Sequence, residues 1–323
     1  MKLQRIVFVL VMVAAMLSAR AYSQTGKSAK STPESVNAFL GRWDLTLKAP
    51  DREYPSWLEL RQEGGQLKAQ IVSRWGNARP LPKAELSNGK LTFVSPKEEE
   101  GLPVDMVFEG SLTGKTLSGK VNGPNGATWQ WTGERAPSLD RKSAPKWGKP
   151  IALFNGKDLS GWNTRGNGKS EWKVENGILI TPGEGPELIN DSKFEDFKLH
   201  VEFNCGPTSN SGVYLRGRYE VQIETDSADE GPMHHTGSVY GFIVPTPELP
   251  RKANEWQTYD ITLIGRRVTV VQNGQTVIDN KEIPGITGGA LDSHEGLPGP
   301  IYLQGSEKGQ VQFRSIVITP AEK

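Results

Sequence analysis

The sequence predicts an all-β protein: a small antiparallel β-barrel-like domain followed by a jelly-roll sandwich. Three observations lead there. Short runs alternate apolar and polar side chains, the period of a strand with one buried face. Helical periodicity is almost absent. The 36 glycines and 22 prolines among 323 residues punctuate the runs, and pairs such as Gly64-Gly65, Asn176-Gly177 and Asn273-Gly274 fall where hairpins need turn residues or positive backbone angles.

In chain order, residues 1–23 read as a secretory signal. Lys2 and Arg5 flank the start of an apolar run over 6–17, and Ala19-Arg20-Ala21 offers a small-x-small cleavage site, with cleavage expected after Ala21 or Ser23. The run is too short to span a bilayer comfortably, and no cysteine follows it to accept a lipid. An exported protein, periplasmic or extracellular and without a stable membrane anchor, is the expectation. Residues 24–36 are a loose leader rich in Ser, Thr and Lys. Residues 37–135 carry alternating segments at 41–47, 57–61, 67–71, 90–94, 105–112, 116–121 and 128–132, a meander that closes on itself as a small barrel. Its Gly41-Arg42-Trp43 start resembles the first strand of lipocalin-type barrels. Trp43, Trp57, Trp129 and Trp131 read as barrel core or rim in preference to sugar platforms. Residues 136–149, rich in Pro, Ser, Lys and Arg, read as a linker. Residues 150–323 hold about ten further short strands, which two packed antiparallel sheets accommodate.

Composition removes several functions. A formal net charge of +1 and the lack of any Lys/Arg-rich run leave no phosphate-tracking surface for nucleic acid. The single cysteine, Cys205, forms no intrachain disulfide and reads as a small buried filler. No glycine-rich phosphate cradle and no convincing Ser-His-Asp order appears. Nothing in the sequence fixes the oligomeric state.

The working surface is expected at 210–224. Polar Tyr214, Glu220, Gln222 and Glu224 alternate there with Val213, Val221 and Ile223. A three-residue loop with Gly217 in the left-handed region pairs Val213 with Val221 and Tyr214 with Glu220, like with like. That leaves Tyr214, Glu220 and Gln222 on one wet face, suited to a polar ligand. The long irregular stretch 225–253 follows directly and holds Asp226, Asp229, Glu230, His234, His235 and Tyr240; a loop of this length is expected to fold over that face. Its donors leave room for a divalent metal ion such as calcium, but their spacing matches no fixed ligand motif, and no cofactor is certain.

Several segments together carry a specific resemblance. They are 153–162 (Leu-Phe-Asn-Gly-Lys-Asp-Leu-Ser-Gly-Trp), 210–216 (Asn-Ser-Gly-Val-Tyr-Leu-Arg), 219–223 (Tyr-Glu-Val-Gln-Ile), 236–241 (Thr-Gly-Ser-Val-Tyr-Gly), 255–259 (Glu-Trp-Gln-Thr-Tyr) and 299–304 (Gly-Pro-Ile-Tyr-Leu-Gln). In this order, over about 150–320, the chain resembles the 3-keto-disaccharide hydrolase family. The family's Asp-His-Gly after the Leu-Gln strand is replaced by Gly305-Ser306-Glu307-Lys308-Gly309, and its Phe-Arg-Asn-Ile by Phe313-Arg314-Ser315-Ile316. The resemblance implies a concanavalin-like jelly roll acting on glycosides oxidised at C3. A base, an acid and an enolate holder are then needed. Glu220, mid-strand beside Tyr214, is the candidate base, and His235 the candidate acid or proton shuttle. Asn210, Tyr214, Arg216, Gln222, Tyr240, Gln304 and Arg314 are the candidate substrate-binding residues. The rival reading is a non-catalytic, lectin-like carbohydrate-binding protein.

Overall fold

Alternation in the first half of the chain builds β1 (Gly41–Lys48), β2 (Glu53–Glu63), β3 (Gln66–Val72), β4 (Arg79–Pro80), β5 (Lys83–Ser87), β6 (Lys90–Ser95), β7 (Met106–Thr113), β8 (Thr116–Asn122) and β9 (Thr128–Arg135). The computed structural model describes residues 36–72, 76–123, 126–166, 171–181, 185–224, 231–305 and 309–322. The signal reading of 1–23, the leader up to Ser35, the acidic candidates Asp226, Asp229 and Glu230, and Ser306-Glu307-Lys308 lie outside the described residues.

These strands form one antiparallel sheet in the order β4-β3-β2-β1-β9-β8-β7-β6-β5. It curls until β3 and β5 touch, which gives the barrel-like shape. Inward positions fill it with Trp43, Leu45, Leu58, Phe93, Phe108 and Trp131. Phe93 and Phe108 stack at 4.5 Å between centroids, and Gly110 leaves space for the Trp131 ring, which a Cβ there would meet at 2.4 Å. Trp43 and Trp131 are core, as expected. Trp57 belongs instead to the core of the second unit.

The second half folds into β10 (Ile151–Ala152), β11 (Trp162–Thr164), β12 (Lys173–Glu175), β13 (Ile178–Thr181), β14 (Leu188–Asn190), β15 (Phe197–Cys205), β16 (Asn210–Leu215), β17 (Tyr219–Glu224), β18 (Trp256–Ile264), β19 (Arg267–Gln272), β20 (Gln275–Glu282), β21 (Tyr302–Leu303) and β22 (Val311–Pro320). A back sheet runs β12-β13-β22-β15-β18-β19-β20 with β10 beside β22, and a front sheet runs β11-β14-β21-β16-β17. Leu199, Val201 and Phe203 of the back sheet share a core with Val213, Val221 and Leu303 of the front sheet. Burying an aliphatic side chain of this size contributes about 1.5–3 kcal/mol, so the apolar half of the alternation fixes which face of each strand turns inward. Cys205 is buried in this core as a filler.

The barrel docks against the sandwich through the outer face of β1 and β2. Trp57 packs on Phe242 at 5.2 Å with rings at 88°, and Gly285 has no Cβ where one would meet the Trp57 ring at 2.1 Å. Thr46 Oγ1 and Ser293 Oγ lie 2.5 Å apart across the seam, and Arg42 pairs with Glu282. Residues 136–149 run along the sandwich, where Arg141 grips Asp196 at 2.6 Å and Trp147 bridges to Ala321.

Candidate functional site

The hairpin β16–β17 adopts the expected register, with Val213 opposite Val221, Tyr214 opposite Glu220 and Leu215 opposite Tyr219. The three residues left over make the turn. Gly217 there has φ 67°, in the left-handed region, and a Cβ on it would meet Leu291 Cδ1 at 2.6 Å. Arg216 beside it also has a positive φ, 53°. One expectation changes. The polar face is not open to water, for Tyr214, Glu220 and Gln222 are each 2% exposed. The physical reason is that the loop after β20 and the β1–β2 end of the barrel cover this face; Thr287 Oγ1 accepts the Glu220 backbone N–H and the Gly288 carbonyl lies on the Tyr214 hydroxyl.

A cleft of about 270 Å³ remains under that cover, near the lower end of ligand-sized cavities. The hairpin contributes Asn210, Tyr214, Glu220 and Gln222; Tyr240, Tyr302 and Gln304 join them, with Arg165 and Glu187 from strand ends and Arg52, Tyr54 and Pro55 from the barrel. Room for the carboxylate comes from Gly212, whose missing Cβ would lie 2.1 Å from Glu220 Oε1. Gly289 does the same for Tyr214, with a Cβ position 2.4 Å from the hydroxyl. Tyr214 and Tyr302 stack at 4.1 Å and 10°.

The hydrogen bonds constrain where protons sit. The Tyr214 hydroxyl lies 2.8 Å from Glu220 Oε2 and 2.7 Å from the Gly288 carbonyl oxygen, which only accepts. With Glu220 ionised, Tyr214 has one proton for two acceptors. With Glu220 protonated, Glu220 donates to Tyr214 and Tyr214 donates to Gly288, and both contacts are satisfied. Either way the Tyr214 hydroxyl anchors Glu220 Oε2 against the covering loop. Burial first, and the Glu220 charge second, push the Tyr214 phenol well above its ordinary value, so it stays protonated; burial likewise raises Tyr302. Asn210 Oδ1, Gln222 Oε1 and Gln304 Oε1 are buried with no hydrogen-bond partner among the described residues. Three amide oxygens turned into one cleft favour a ligand rich in hydroxyl donors.

Six of the nine sequence-predicted residues therefore meet in the cleft: Asn210, Tyr214, Glu220, Gln222, Tyr240 and Gln304. The other three do not line it. Arg216 turns away into the protein, because its left-handed backbone aims the guanidinium at the carbonyls of Gly265, Glu295 and Leu297. Arg314 lies on β22, in the back sheet, where it pairs with Glu202 and covers Trp256 at 4.4 Å. His235 is held by Glu248, Nδ1 to Oε2 2.7 Å; its neighbour His234 stacks on Tyr240 at 4.8 Å. Among the described residues no three His, Cys, Asp or Glu side chains come together as metal ligands would.

Arg165, Glu187, Tyr302 and the barrel residues escaped the sequence reading. Arg165 pairs with Glu187 at 3.3 Å and donates to the carbonyls of Gly289 and Ala290, which pins the covering loop. Only Tyr302 left a signal, two positions before Gln304 on the same face of an extended segment. A larger crevice, about 490 Å³, lies between the barrel and 136–144, lined by Arg42, Arg141 and Arg266 among others. Those arginines are already held by Glu59 and Glu282, Asp196, and Glu295 respectively, so we place the site in the smaller cleft.

The family model described as the 3-keto-alpha-glucoside-1,2-lyase-like domain matches residues 149–319, just over half of the chain. A 3-keto-disaccharide hydrolase of Bacteroides thetaiotaomicron is 24% identical over 168 residues, covering 40% of this chain and 57% of that protein. The chain thus spans less than two thirds of that relative's length. A solved candidate glycosyl hydrolase of Parabacteroides distasonis is 26% identical, covering 57% of this chain and 96% of that one, with a TM-score of 0.45. The carbohydrate binding module CBM66 of Bacillus subtilis is 12% identical, with 49% and 95% coverage and a TM-score of 0.34.

Proposed function

The chain belongs to the 3-keto-alpha-glucoside-1,2-lyase-like family, and on that premise we propose that its cleft binds a glycoside oxidised at C3 and cleaves it by elimination followed by hydration. The observation that supports this reading is Glu220, buried in the cleft and anchored by the Tyr214 hydroxyl, beside three amide oxygens awaiting hydroxyl donors. A ketone at C3 acidifies the proton on C2. Glu220 takes that proton, and the C–H electron pair becomes the enolate, held by the Tyr240 hydroxyl, while the amide oxygens of Asn210, Gln222 and Gln304 accept from the sugar hydroxyls. Collapse of the enolate forms the C1–C2 double bond and breaks the C1–O bond, so the aglycone leaves with the electron pair and gains a proton. The hydroxide left by the water that protonated the aglycone then adds at C1, and Glu220 returns its proton to C2. Tyr214 fixes the carboxylate throughout. His235, tied to Glu248, has no part in this scheme; the proton on the leaving oxygen comes from water.

The test is release of 3-keto-glucose from a 3-keto-disaccharide by the purified protein. Glu220→Gln is expected to slow release at least about 100-fold, the loss typical of a missing general base. Binding by the wild type without release would leave only a carbohydrate-binding role, and undiminished release by the variant would remove Glu220 from the chemistry.

A further inference from the structure

The barrel side of the cleft carries an inference about the leaving group. Arg52, Tyr54 and Pro55 form the wall that the sandwich does not supply. Tyr54 is held firmly: the residue is 7% exposed, its ring stacks on Trp129 with centroids 6.2 Å apart at 11°, and its hydroxyl donates to Asp51 at 2.6 Å. Gly123 leaves space for the Trp129 ring beneath, since a Cβ there would meet it at 2.4 Å. Arg52 sits over the Tyr54 ring, its guanidinium carbon 4.7 Å from the centroid, and the residue is exposed at the cleft mouth. Among the described residues Arg52 forms no salt bridge; after the Tyr54 hydroxyl, its charge adds to what holds the exposed Asp51 carboxyl below its ordinary value. A guanidinium seated on an aromatic ring is pre-organised, offers its donor edge to a carboxylate in bidentate fashion, and offers its flat face to a planar ring.

We propose that this wall is the leaving-group subsite and that it selects glycosides whose aglycone is a planar ring bearing a carboxylate. The proposal rests on the function argued above, in which the oxidised sugar lies against Glu220 on the sandwich wall. The bond at C1 is then the one that must cross toward the barrel. Arg52 binds the carboxylate and holds the aglycone in place while the C1–O bond breaks; it takes no proton.

The experiment compares the full-length protein with Arg52→Ala and Arg52→Lys, exposed substitutions that leave both cores untouched. Turnover is measured on the 3-keto-glucosides of 4-hydroxybenzoate and of phenol. The preference for the carboxylated substrate, as a ratio of kcat/KM, is expected to fall about tenfold in Arg52→Ala, mainly through KM, the loss of one charge-assisted contact. Arg52→Lys should recover only part, since it keeps the charge and loses the plane. An unchanged ratio in both variants overturns the proposal. Calorimetric binding of unoxidised 4-carboxyphenyl and phenyl glucosides reads the subsite without any turnover. Equal affinity of the wild type for the two refutes the subsite even if cleavage is seen. An Arg52-dependent preference in a protein that cleaves nothing upholds the subsite and sinks the elimination reading.

Discussion

Gly212 stands where any side chain would displace the proposed base. The atom that a Cβ would strike is Glu220 Oε1, at 2.1 Å, and the strand partner of Gly212 is Gln222, so the crowding falls inside the cleft. Gly212→Ala is expected to lower the rate of 3-keto-glycoside cleavage at least about tenfold by moving the carboxylate off its position. Circular dichroism should retain the β signature, since the displaced atom is the end of a side chain. A variant as fast as the wild type would mean that the observed Glu220 position is not the working one. The neighbouring Tyr214–Glu220 pair was legible in the sequence, because alternation and turn chemistry together set its register. Arg216 was not, although it lies in the same hairpin. Alternation assigns a face by assuming extended backbone, and Arg216 has φ 53°. His235 was equally hidden, since its partner Glu248 is fixed by loop geometry that has no period.

At the level of elements, the β16–β17 turn ties the hairpin to the covering loop. Gly217 combines a left-handed φ of 67° with an approach to Leu291, and the Leu291 backbone N–H donates to the Gly217 carbonyl at 2.8 Å. Gly217→Ala is expected to cost about 1–3 kcal/mol from strain at a position that disfavours a side chain. Urea unfolding measures this, and an unchanged midpoint would show that the turn relaxes freely. The strands themselves were readable from short apolar alternation and Asn-Gly turns. Which sheet a strand joins was not. Arg314 looks like any polar residue beside a buried Phe313, yet β22 pairs with β15 and β13 in the back sheet, so its outward face points away from the cleft. Periodicity records that a strand has two faces and carries no address for the partner strand, which is why the wall containing Arg165 and Glu187 also went unseen.

Across the whole molecule, the seam between barrel and sandwich buries charge. Asp44 of β1 lies 5% exposed beside Glu295, which Arg266 and Tyr219 also grip, with Arg218 nearby. Burial first, then the Glu295 charge and hydrogen bond, push the Asp44 carboxyl up from its ordinary 3.8 to about 9, with Arg266 and Arg218 opposing. The folded protein therefore keeps a proton at neutral pH that the unfolded chain has released. Stability from this group is full below pH 3.8 and declines as pH climbs toward 9. Asp44→Asn, which keeps a donor for Glu295 and cannot ionise, is expected to flatten the melting temperature between about pH 5 and 9 and to gain most on the wild type at the alkaline end. Parallel curves for the two proteins would refute the buried proton. The same seam divides the residues that line the cleft. The family match begins at residue 149, whereas Arg52 and Tyr54 precede it by about a hundred positions in the chain. The proposed base and the proposed leaving-group wall therefore lie on opposite sides of the boundary where the family match begins, so exchanging the barrel beside an unaltered Glu220 is expected to change which aglycones are taken while leaving the proposed chemistry in place.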